Sequence, residues 1–224
     1  MSFFYEHVLK VPTLTSEAAS YGNAMHFAWQ RLYEVMLNKK NKAFPAANQF
    51  LRYFEEYMRQ TKPQFTESEY LRRLSMGQIN LAYYYENHLK NWNKEVRVEL
   101  SVRHTEVEGV PITGVIDKID FSAGNKAHIT DYKTGKTDES KLKRPDANNL
   151  YGGSYYRQLV FYKLLYENYR PYAETVQSGE IIFLDPNPRG EYLQKQLIFN
   201  SRDVQMMKQL IKKHLRKNTS PRFF

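Results

Sequence analysis

The sequence predicts an α/β fold, in which a central mixed β-sheet of about five strands is flanked by helices and carries an amino-terminal helical layer. Two observations support this fold class. Apolar residues recur at helical spacing through residues 16–90, and from Glu95 the spacing changes to the alternation of a half-buried strand. The 224 residues fit one domain, with a mainly helical part over 1–93 and an α/β core over 94–224.

Three helices are expected ahead of the sheet. Ser16 is a candidate N-cap for a helix over 17–37, a second helix over 46–59 follows Pro45, and a third helix covers 67–89. The apolar residues of the third helix predict that its buried face comprises Leu71, Leu74, Ile79, Leu81 and Tyr85.

The predicted sheet begins with a strand in which Val96, Val98, Leu100 and Val102 alternate with polar residues. Stretches 111–121 and 126–133 then indicate an antiparallel hairpin through the short turn 122–125. The polar stretch 134–153 lacks any apolar period and predicts a long loop. Further on, the pattern predicts a helix over 154–169, a strand over 180–184, a turn over 185–188, an edge strand over 192–199 and a helix from Ser201.

The predicted hairpin carries two carboxylates that are candidates for a metal site. A turn centred on Gly124 makes Asp117 face Asp131, and alternation places Lys133 on the same face. Like charges directly opposite each other destabilise a half-buried face unless a cation compensates, and carboxylate oxygens suit Mg²⁺ or Mn²⁺. The alternative is a surface ion network in which the aspartates pair with lysines of the hairpin, and the geometry alone leaves both interpretations open.

Composition narrows the function classes. With 33 Lys and Arg against 24 Asp and Glu, the formal net charge is +9, which favours a polyanionic partner such as nucleic acid. The absence of cysteine excludes disulfides, thiolate zinc sites, iron–sulfur clusters and cysteine nucleophiles. No apolar run approaches the roughly 18 residues that span a bilayer, and the first residues lack the pattern of a secretory signal. A cytoplasmic protein without a membrane partner is therefore expected.

The strings GVIDKID (114–120) and ITDYKTGK (129–136) resemble the core motifs of RecB-family nucleases of the PD-(D/E)XK superfamily. The resemblance implies a restriction-endonuclease-like core in which Asp117 and Asp131 are catalytic metal ligands and Lys133 is the catalytic lysine. It also implies that the carbonyl of Tyr132 contributes to binding one or two Mg²⁺ or Mn²⁺ ions, with Lys133 positioning or activating the attacking water.

Two further elements of that family occur in the expected order: G-x-x-x-H at 22–26 and Q-x-x-x-Y at 158–162. By resemblance, His26 is an additional metal ligand, while Gln158 and Tyr162 line the DNA path and support the site. Without the resemblance, the apolar stripe around His26 would favour a core histidine instead.

Three less specific assignments complete the predicted site. Either Glu95 or Glu99 is a candidate supporting carboxylate. Lys136 is a candidate DNA contact beside the active site. The remaining candidate DNA contacts in the long loop are Lys141, Lys143 and Arg144, for which a solvated loop is the alternative.

The segment 156–165 looks like the nuclease domain at the carboxyl end of UvrD/Rep-like helicases. This resemblance implies a Mg²⁺- or Mn²⁺-dependent deoxyribonuclease excised from a helicase–nuclease of DNA repair or recombination, partnered by DNA and by an ATP-dependent helicase region of the same parent chain. The cysteine-free sequence departs from the relatives that hold an iron–sulfur cluster, so none is expected here. The alternative function is a catalytically silent DNA-binding or clamp module, against which the intact D…D-x-K argues.

Overall fold

A computed structural model describes residues 16–169 and 174–218, with side chains described as far as residue 213. The predicted absence of a secretory signal concerns residues outside these ranges. In chain order the main elements are α1 (Glu17–Asn38), α2 (Ala47–Gln60), α3 (Glu67–His88), β1 (Val96–Val107), β2 (Val110–Ser122), β3 (Lys126–Lys133), α4 (Ser154–Asn168), β4 (Thr175–Phe183), β5 (Gln194–Ile198) and α5 (Ser201–Asn218). Single 3-10 turns occur at Lys62–Gln64, Leu89–Asn91 and Glu139–Leu142.

The five strands form one mixed sheet in the order β1-β2-β3-β4-β5. All neighbours are antiparallel except β3 and β4, which run parallel. A parallel pair needs a long crossover, and here the stretch 134–153 and helix α4 supply it. The predicted mixed five-stranded sheet is confirmed.

The amino-terminal helices α1, α2 and α3 cover one face of this sheet. Trp29 and Leu32 of α1 are buried against Val96, Tyr132 and Ile182 of the strands. The indole of Trp29 stacks on the ring of Tyr132 with centroids 4.8 Å apart. Burial of these large rings anchors the helical layer directly behind the strand that carries Asp131 and Lys133.

The opposite face is covered by α4 and α5. Helix α4 is buried on most of its surface, with Leu159, Val160 and Leu165 inaccessible to solvent. Met207 and Ile211 of α5 complete this second apolar cluster. The sheet therefore lies between two helical layers, as the sequence predicted.

Two helix starts follow from local capping chemistry. The Ser16 side chain accepts a hydrogen bond from the backbone N–H of Ala19, at 3.2 Å, and so caps α1. At the start of α3, Thr66 and Glu69 form a reciprocal capping box. These bonds satisfy backbone donors that the first helical turn leaves open.

The predicted buried face of α3 is partly wrong. Leu71 and Ile79 are 56% and 62% exposed, and the buried positions include Gly77 and Asn80. A Cβ at Gly77 would lie 2.1 Å from Cζ of Phe54, so the missing side chain is what lets α3 approach α2. The buried face of α3 therefore differs from the predicted one because it includes a glycine and an asparagine, which a search for apolar residues does not select.

The β2–β3 hairpin has the predicted register, with Phe121 paired to Ala127 and Ile119 to Ile129. Its turn uses left-handed backbone at Gly124 and Asn125, with φ values of 77° and 54°. Strand β4 begins at Thr175 rather than at residue 180, because its first residues pair in parallel with β3. The edge strand β5 is shorter than predicted.

Within the described part of the chain, none of the helices has the length and apolar character to cross a bilayer.

Candidate metal centre

In strands β1 and β2 the alternation of side chains between the two faces of the sheet is interrupted once. The interruptions lie at Glu99 and around Asp117. Val98 packs in the cluster of the amino-terminal helices, whereas Leu100 packs on the α4 side, although simple alternation puts both on one face. Between them Glu99 has a left-handed backbone, with φ of 47°. On β2, Ile116 and Ile119 both face α4, so alternation also breaks around Asp117.

The break occurs at opposed positions, since Leu100 pairs with Ile116 and Val98 with Lys118. Glu99 and Asp117 therefore lie side by side at the same level of the sheet. A left-handed conformation is unusual for a residue other than glycine, and such strain is concentrated at functional sites.

Three side chains from three elements converge here. His26 of α1, Glu99 of β1 and Asp117 of β2 each offer one ligand atom, and these atoms all lie within 4.8 Å of one another. The imidazole Nδ1 of His26 is 3.3 Å from Oδ2 of Asp117. The structure thus brings His26 and Asp117, both expected from the sequence, together with Glu99.

Strand β3 adds Asp131 and Lys133 to this centre. The Asp131 side chain is 1% exposed, and its Oδ2 lies 2.7 Å from Nζ of Lys133. The backbone pairing of the hairpin ends at Lys118–Thr130. The expected pairing of Asp117 with Asp131 is therefore not formed. Instead, Asp117 Oδ2 accepts a hydrogen bond from the backbone N–H of Tyr132, at 2.9 Å.

The pKa values reflect a centre with more carboxylates than cations. Burial, reinforced by the neighbouring Asp117, raises the pKa of Glu99 to about 7. Burial also raises the pKa of Asp131 to about 6, against the opposing effect of Lys133. Burial alone would lower the pKa of His26, but Asp117 raises it to about 9. His26 in turn keeps the pKa of Asp117 below its ordinary value despite burial.

These residues fit a divalent metal ion. The donor set of two carboxylates and one imidazole, with the Asp131 carboxylate nearby, is suited to hard or borderline cations such as Mg²⁺ or Mn²⁺. The pKa values of Glu99 and Asp131 are raised first by burial and further by the neighbouring Asp117 carboxylate, and Lys133 and His26 offset this only in part. A divalent cation would supply the missing positive charge.

The centre opens into a cavity of about 550 Å³ between the two helical layers. Gly22, one turn before His26, lines it, and a Cβ at Gly22 would lie 3.1 Å from Oγ1 of Thr134. The glycine of the G-x-x-x-H element therefore lets α1 approach the residues that follow β3. Phe27 and Tyr57 form part of the cavity wall.

Gln158 and Tyr162 lie one helical turn apart on α4, and both are buried. Nε2 of Gln158 donates a hydrogen bond to Oη of Tyr162 at 2.9 Å. Burial, followed by the charge of Asp131, holds the pKa of Tyr162 well above its ordinary value, so its phenol stays protonated. The helix thus places Tyr162 in the cavity wall near Asp131, and Gln158 supports it through this hydrogen bond.

The remaining predicted residues are placed differently. Glu95 is two-thirds exposed and pairs with Lys42 at 2.5 Å, so of the two candidate glutamates it is Glu99 that reaches the centre. Lys136 is exposed on the loop after β3. The Tyr132 ring lies behind the sheet on Trp29, and its backbone N–H contacts Asp117. Arg144 is engaged by Asp203 through two hydrogen bonds of 3.1 Å.

Sequence reasoning missed a buried network that holds the loop after Lys133. Asp185 accepts hydrogen bonds from Oη of Tyr21 at 2.8 Å, Nδ2 of Asn80 at 2.6 Å and the backbone N–H of Gly135 at 2.5 Å. It thereby joins α1, α3 and the D-Y-K-T-G segment. A buried polar residue such as Asn80 needs partners, but no pattern in the sequence shows that Asn80 is buried.

A profile of the PD-(D/E)XK nuclease superfamily matches residues 1–224. Among solved structures, the chain is similar to a protein named SSO0001, with 15% identity, coverage of 86% of this chain and 87% of that chain, and a TM-score of 0.37. It is also similar to a "Putative exonuclease" from Eubacterium rectale, with 12% identity, coverage of 76% of this chain and 62% of that chain, and a TM-score of 0.48. No curated protein matches the sequence.

The five-stranded mixed sheet with flanking helices is consistent with the fold of that superfamily. Since the superfamily profile covers every residue, this chain belongs to the PD-(D/E)XK nuclease superfamily.

Proposed function

We propose that this chain is a metal-dependent DNA nuclease that hydrolyses phosphodiester bonds. One observation carries the proposal: His26, Glu99 and Asp117 line one open cavity and their ligand atoms converge within 4.8 Å. The buried pair Asp131–Lys133 lies on the neighbouring strand β3. Membership of a nuclease superfamily that typically uses divalent metals supports both the reaction class and the cofactor.

The proposed metal ligands are His26, Glu99, Asp117 and Asp131, with the carbonyl of Tyr132 as a further candidate. When bound, Mg²⁺ or Mn²⁺ would lower the pKa of a coordinated water and neutralise charge on the scissile phosphate. Lys133, 20% exposed and 2.7 Å from Asp131, holds an ammonium group beside that position. It would orient the attacking water and offset negative charge as the phosphate is attacked.

Tyr162 and Gln158 are proposed to keep the carboxylates in place from the α4 side. Their mutual hydrogen bond leaves the Tyr162 phenol fixed against the cavity. A phenol fixed near Asp131 would limit the movement of that carboxylate, which a metal site requires of its surrounding residues.

DNA is the proposed substrate because the chain carries a formal charge of +9. Lys136 and Lys143 are exposed on the loop that follows the D-Y-K motif and are proposed phosphate contacts. Arg144 is not included, because its guanidinium is engaged by Asp203.

The wider setting proposed for this nuclease is a cytoplasmic helicase–nuclease of DNA repair or recombination, with an ATP-dependent helicase region in the same parent chain. The support is the resemblance of segment 156–165 to the nuclease domains of UvrD/Rep-like helicases. A catalytically silent DNA clamp is the competing function, and the presence of a complete acidic set with Lys133 opposes it.

The test is cleavage of end-labelled linear DNA and of closed circular DNA in Mg²⁺, Mn²⁺ or EDTA. Wild type is compared with Asp131→Ala and Lys133→Ala, and Glu95→Gln is the control because its exposed carboxylate lies away from the centre. Metal-dependent cutting that both site variants lose and the control keeps would support the nuclease. Salt-sensitive DNA binding without cutting in any metal would identify the clamp instead.

A further inference from the structure

Lys133 is the last residue of β3, and an ion pair holds the tip of its side chain. Its Nζ lies 2.7 Å from Oδ2 of Asp131, and the side chain is 20% exposed. Because lysine has a flexible four-carbon stem, one contact at the tip leaves the ammonium free to move around the carboxylate. A lysine that orients a water molecule for attack needs a second contact that fixes its position.

The aromatic ring of Tyr155 supplies a second contact. Tyr155 is the second residue of α4, and Nζ of Lys133 lies 5.6 Å from the centroid of its ring. The face of an aromatic ring carries partial negative charge and attracts an ammonium group within about 6 Å. This attraction is stronger for a partly desolvated cation, and four-fifths of the Lys133 side chain is shielded from water.

The sheet fixes the position of this ring. Phe183 of β4 pairs directly with Lys133 in the parallel register of β3 and β4. The ring of Tyr155 packs on the buried ring of Phe183, with centroids 5.9 Å apart. Paired residues of neighbouring strands extend their side chains to the same face of a sheet. Tyr155 therefore packs on the cross-strand neighbour of Lys133 and meets the lysine on the face that α4 covers.

Tyr155 shares one side of α4 with Gln158 and Tyr162. The three positions are separated by three and four residues, a spacing that places side chains on the same side of a helix. Tyr162 lies near the carboxylate of Asp131, whereas Tyr155 lies near the ammonium of Lys133. This side of α4 therefore faces both members of the Asp131–Lys133 pair.

A second lysine also lies near the Tyr155 ring. Nζ of Lys141 is 5.2 Å from the ring centroid, but the Lys141 side chain is 43% exposed and lies 3.9 Å from Asp138. A cation in contact with water gains less from an aromatic ring than a cation that is largely desolvated. The ring therefore contributes more to holding Lys133 than to holding Lys141.

We propose that Tyr155 is a positioning residue, whose ring holds the ammonium of Lys133 where it orients the attacking water. This inference rests on the nuclease reaction proposed above, in which Lys133 acts on that water. Tyr155 acts through Lys133 rather than on the DNA or the metal ion. Its loss should therefore lower kcat, while KM for DNA and the metal concentration for half-maximal cleavage stay near their wild-type values.

Three substitutions test this role in steady-state cleavage of labelled DNA at saturating Mg²⁺ or Mn²⁺. Tyr155→Leu removes the ring and should lower kcat by about 3- to 30-fold, with KM changed by less than about twofold. Tyr155→Phe keeps the ring face and should retain kcat within about twofold. Tyr151→Leu is the matched control, because the Tyr151 ring lies 5.2 Å from a different lysine, Lys213. This control should leave kcat unchanged.

Fluorinated phenylalanines at position 155 separate charge attraction from packing. Each added fluorine withdraws negative charge from the ring face and changes the shape of the ring little, so kcat should fall stepwise with the number of fluorines. A ring that only fills space would give the same kcat across this series. NMR provides a readout that is independent of cleavage. The ε-protons of Lys133 should be shifted upfield by the ring current, and Tyr155→Leu should abolish this shift.

Three outcomes would overturn the proposal: equal kcat values in Tyr155→Leu and Tyr151→Leu, a fluorine series without effect on kcat, and Lys133 ε-protons without an upfield shift. If Tyr155→Leu does not fold, as judged by circular dichroism, Tyr155→Phe and its fluorinated forms carry the kinetic test. Failure of this inference and failure of the proposed function are distinguishable. A wild type that does not cleave DNA in any metal refutes the nuclease, whereas cleavage that Tyr155→Leu retains in full refutes only the role of Tyr155.

Discussion

Two groups of charged residues, built on neighbouring strands, differ in how their charges balance. In the metal centre, the carboxylates of Glu99, Asp117 and Asp131 have Lys133 and His26 as their cationic neighbours among the described residues. In the back cluster, which we define as Lys118, Asp120, His128 and Glu180, the Asp120 carboxylate pairs with Lys118 and that of Glu180 lies against the imidazole of His128.

The pKa values follow this difference. Burial raises the pKa of Glu99 and of Asp131 in the metal centre. In the back cluster, burial opposes ionisation of Glu180, but the hydrogen bond and charge of His128 outweigh it and lower its pKa. Burial also differs, since the Asp131 side chain is 1% exposed whereas those of Asp120 and Glu180 are 14% and 21% exposed. The metal centre therefore combines deeper burial with an excess of carboxylates, and both favour a bound cation.

The largest expected contrast is in cleavage, between Asp117→Asn and Asp120→Asn on the same strand. Asp117→Asn removes a metal ligand, so cleavage should fall at least about a hundredfold. Asp120→Asn changes only the back cluster and should keep its cleavage while it remains folded. Initial rates on labelled DNA, below the unfolding temperature of both variants, measure this. Equal losses in the two variants would mean that the clusters are not functionally distinct.

The next contrast is in stability and concerns Lys118. Its side chain and that of Asp120 are 8% and 14% exposed. Lys118→Met leaves the Asp120 carboxylate buried without its cation and should lower the free energy of unfolding by about 3–5 kcal/mol. Adding Asp120→Asn should restore part of this loss, because the uncompensated charge is removed. Urea unfolding of the two single variants and the double variant measures the coupling free energy between Lys118 and Asp120. Additive effects of the two substitutions would contradict an ion pair between these residues.

A third contrast separates the two glutamates that the sequence left open. Glu99→Gln should raise the Mg²⁺ or Mn²⁺ concentration needed for half-maximal cleavage by about 10- to 100-fold, since the carboxylate lies with the other ligands. Glu95→Gln should leave that concentration unchanged, because Glu95 is exposed and pairs with Lys42. Metal titrations of both variants decide this. A larger shift in Glu95→Gln would place the supporting carboxylate at residue 95.

The fold was largely predictable from the sequence because its strongest signals are local. The caps at Ser16 and Thr66 and the turn around Gly124 are short-range hydrogen-bond and backbone effects, and the hairpin register follows from the turn. The buried face of α3 was less predictable. Gly77 and Asn80 face the core for reasons supplied by distant partners, Phe54 and Asp185, which no local pattern reveals.

The candidate site was predictable in part. The motifs brought attention to His26, Asp117, Asp131 and Lys133, which the structure places together. Glu99 could not be chosen over Glu95 from alternation, because the two residues are four positions apart and alternation places both on one face. The register of β1 on β2 also shifts by one residue between Val102 and Thr105, so counting back from the β1–β2 turn places Leu100 rather than Glu99 opposite Asp117.

The smallest expected effect is a change in the free energy of unfolding, which has opposite signs for Asp→Asn substitutions in the two clusters. The pKa of Asp131, at about 6, lies above its ordinary value of 3.8, so ionised Asp131 costs stability at neutral pH. In EDTA at pH 8, Asp131→Asn should therefore raise the free energy of unfolding by about 1–2 kcal/mol, less than the full shift because Lys133 loses its partner. Asp120→Asn should lower it under the same conditions.

The pH dependence gives the sign an independent check. Between about pH 4 and pH 6 the Asp131 carboxyl is ionised in the unfolded chain but still largely protonated in the folded one. Wild type therefore loses stability relative to Asp131→Asn as the pH rises through this range, and the difference is constant above it. Chemical unfolding at a series of pH values measures it. Mg²⁺ should stabilise wild type and have little effect on the variant, because a bound cation removes the cost of the ionised carboxylate. If Asp131→Asn were destabilising in EDTA, the carboxylates would already be balanced by Lys133 and His26, and the charge argument for a metal would be lost.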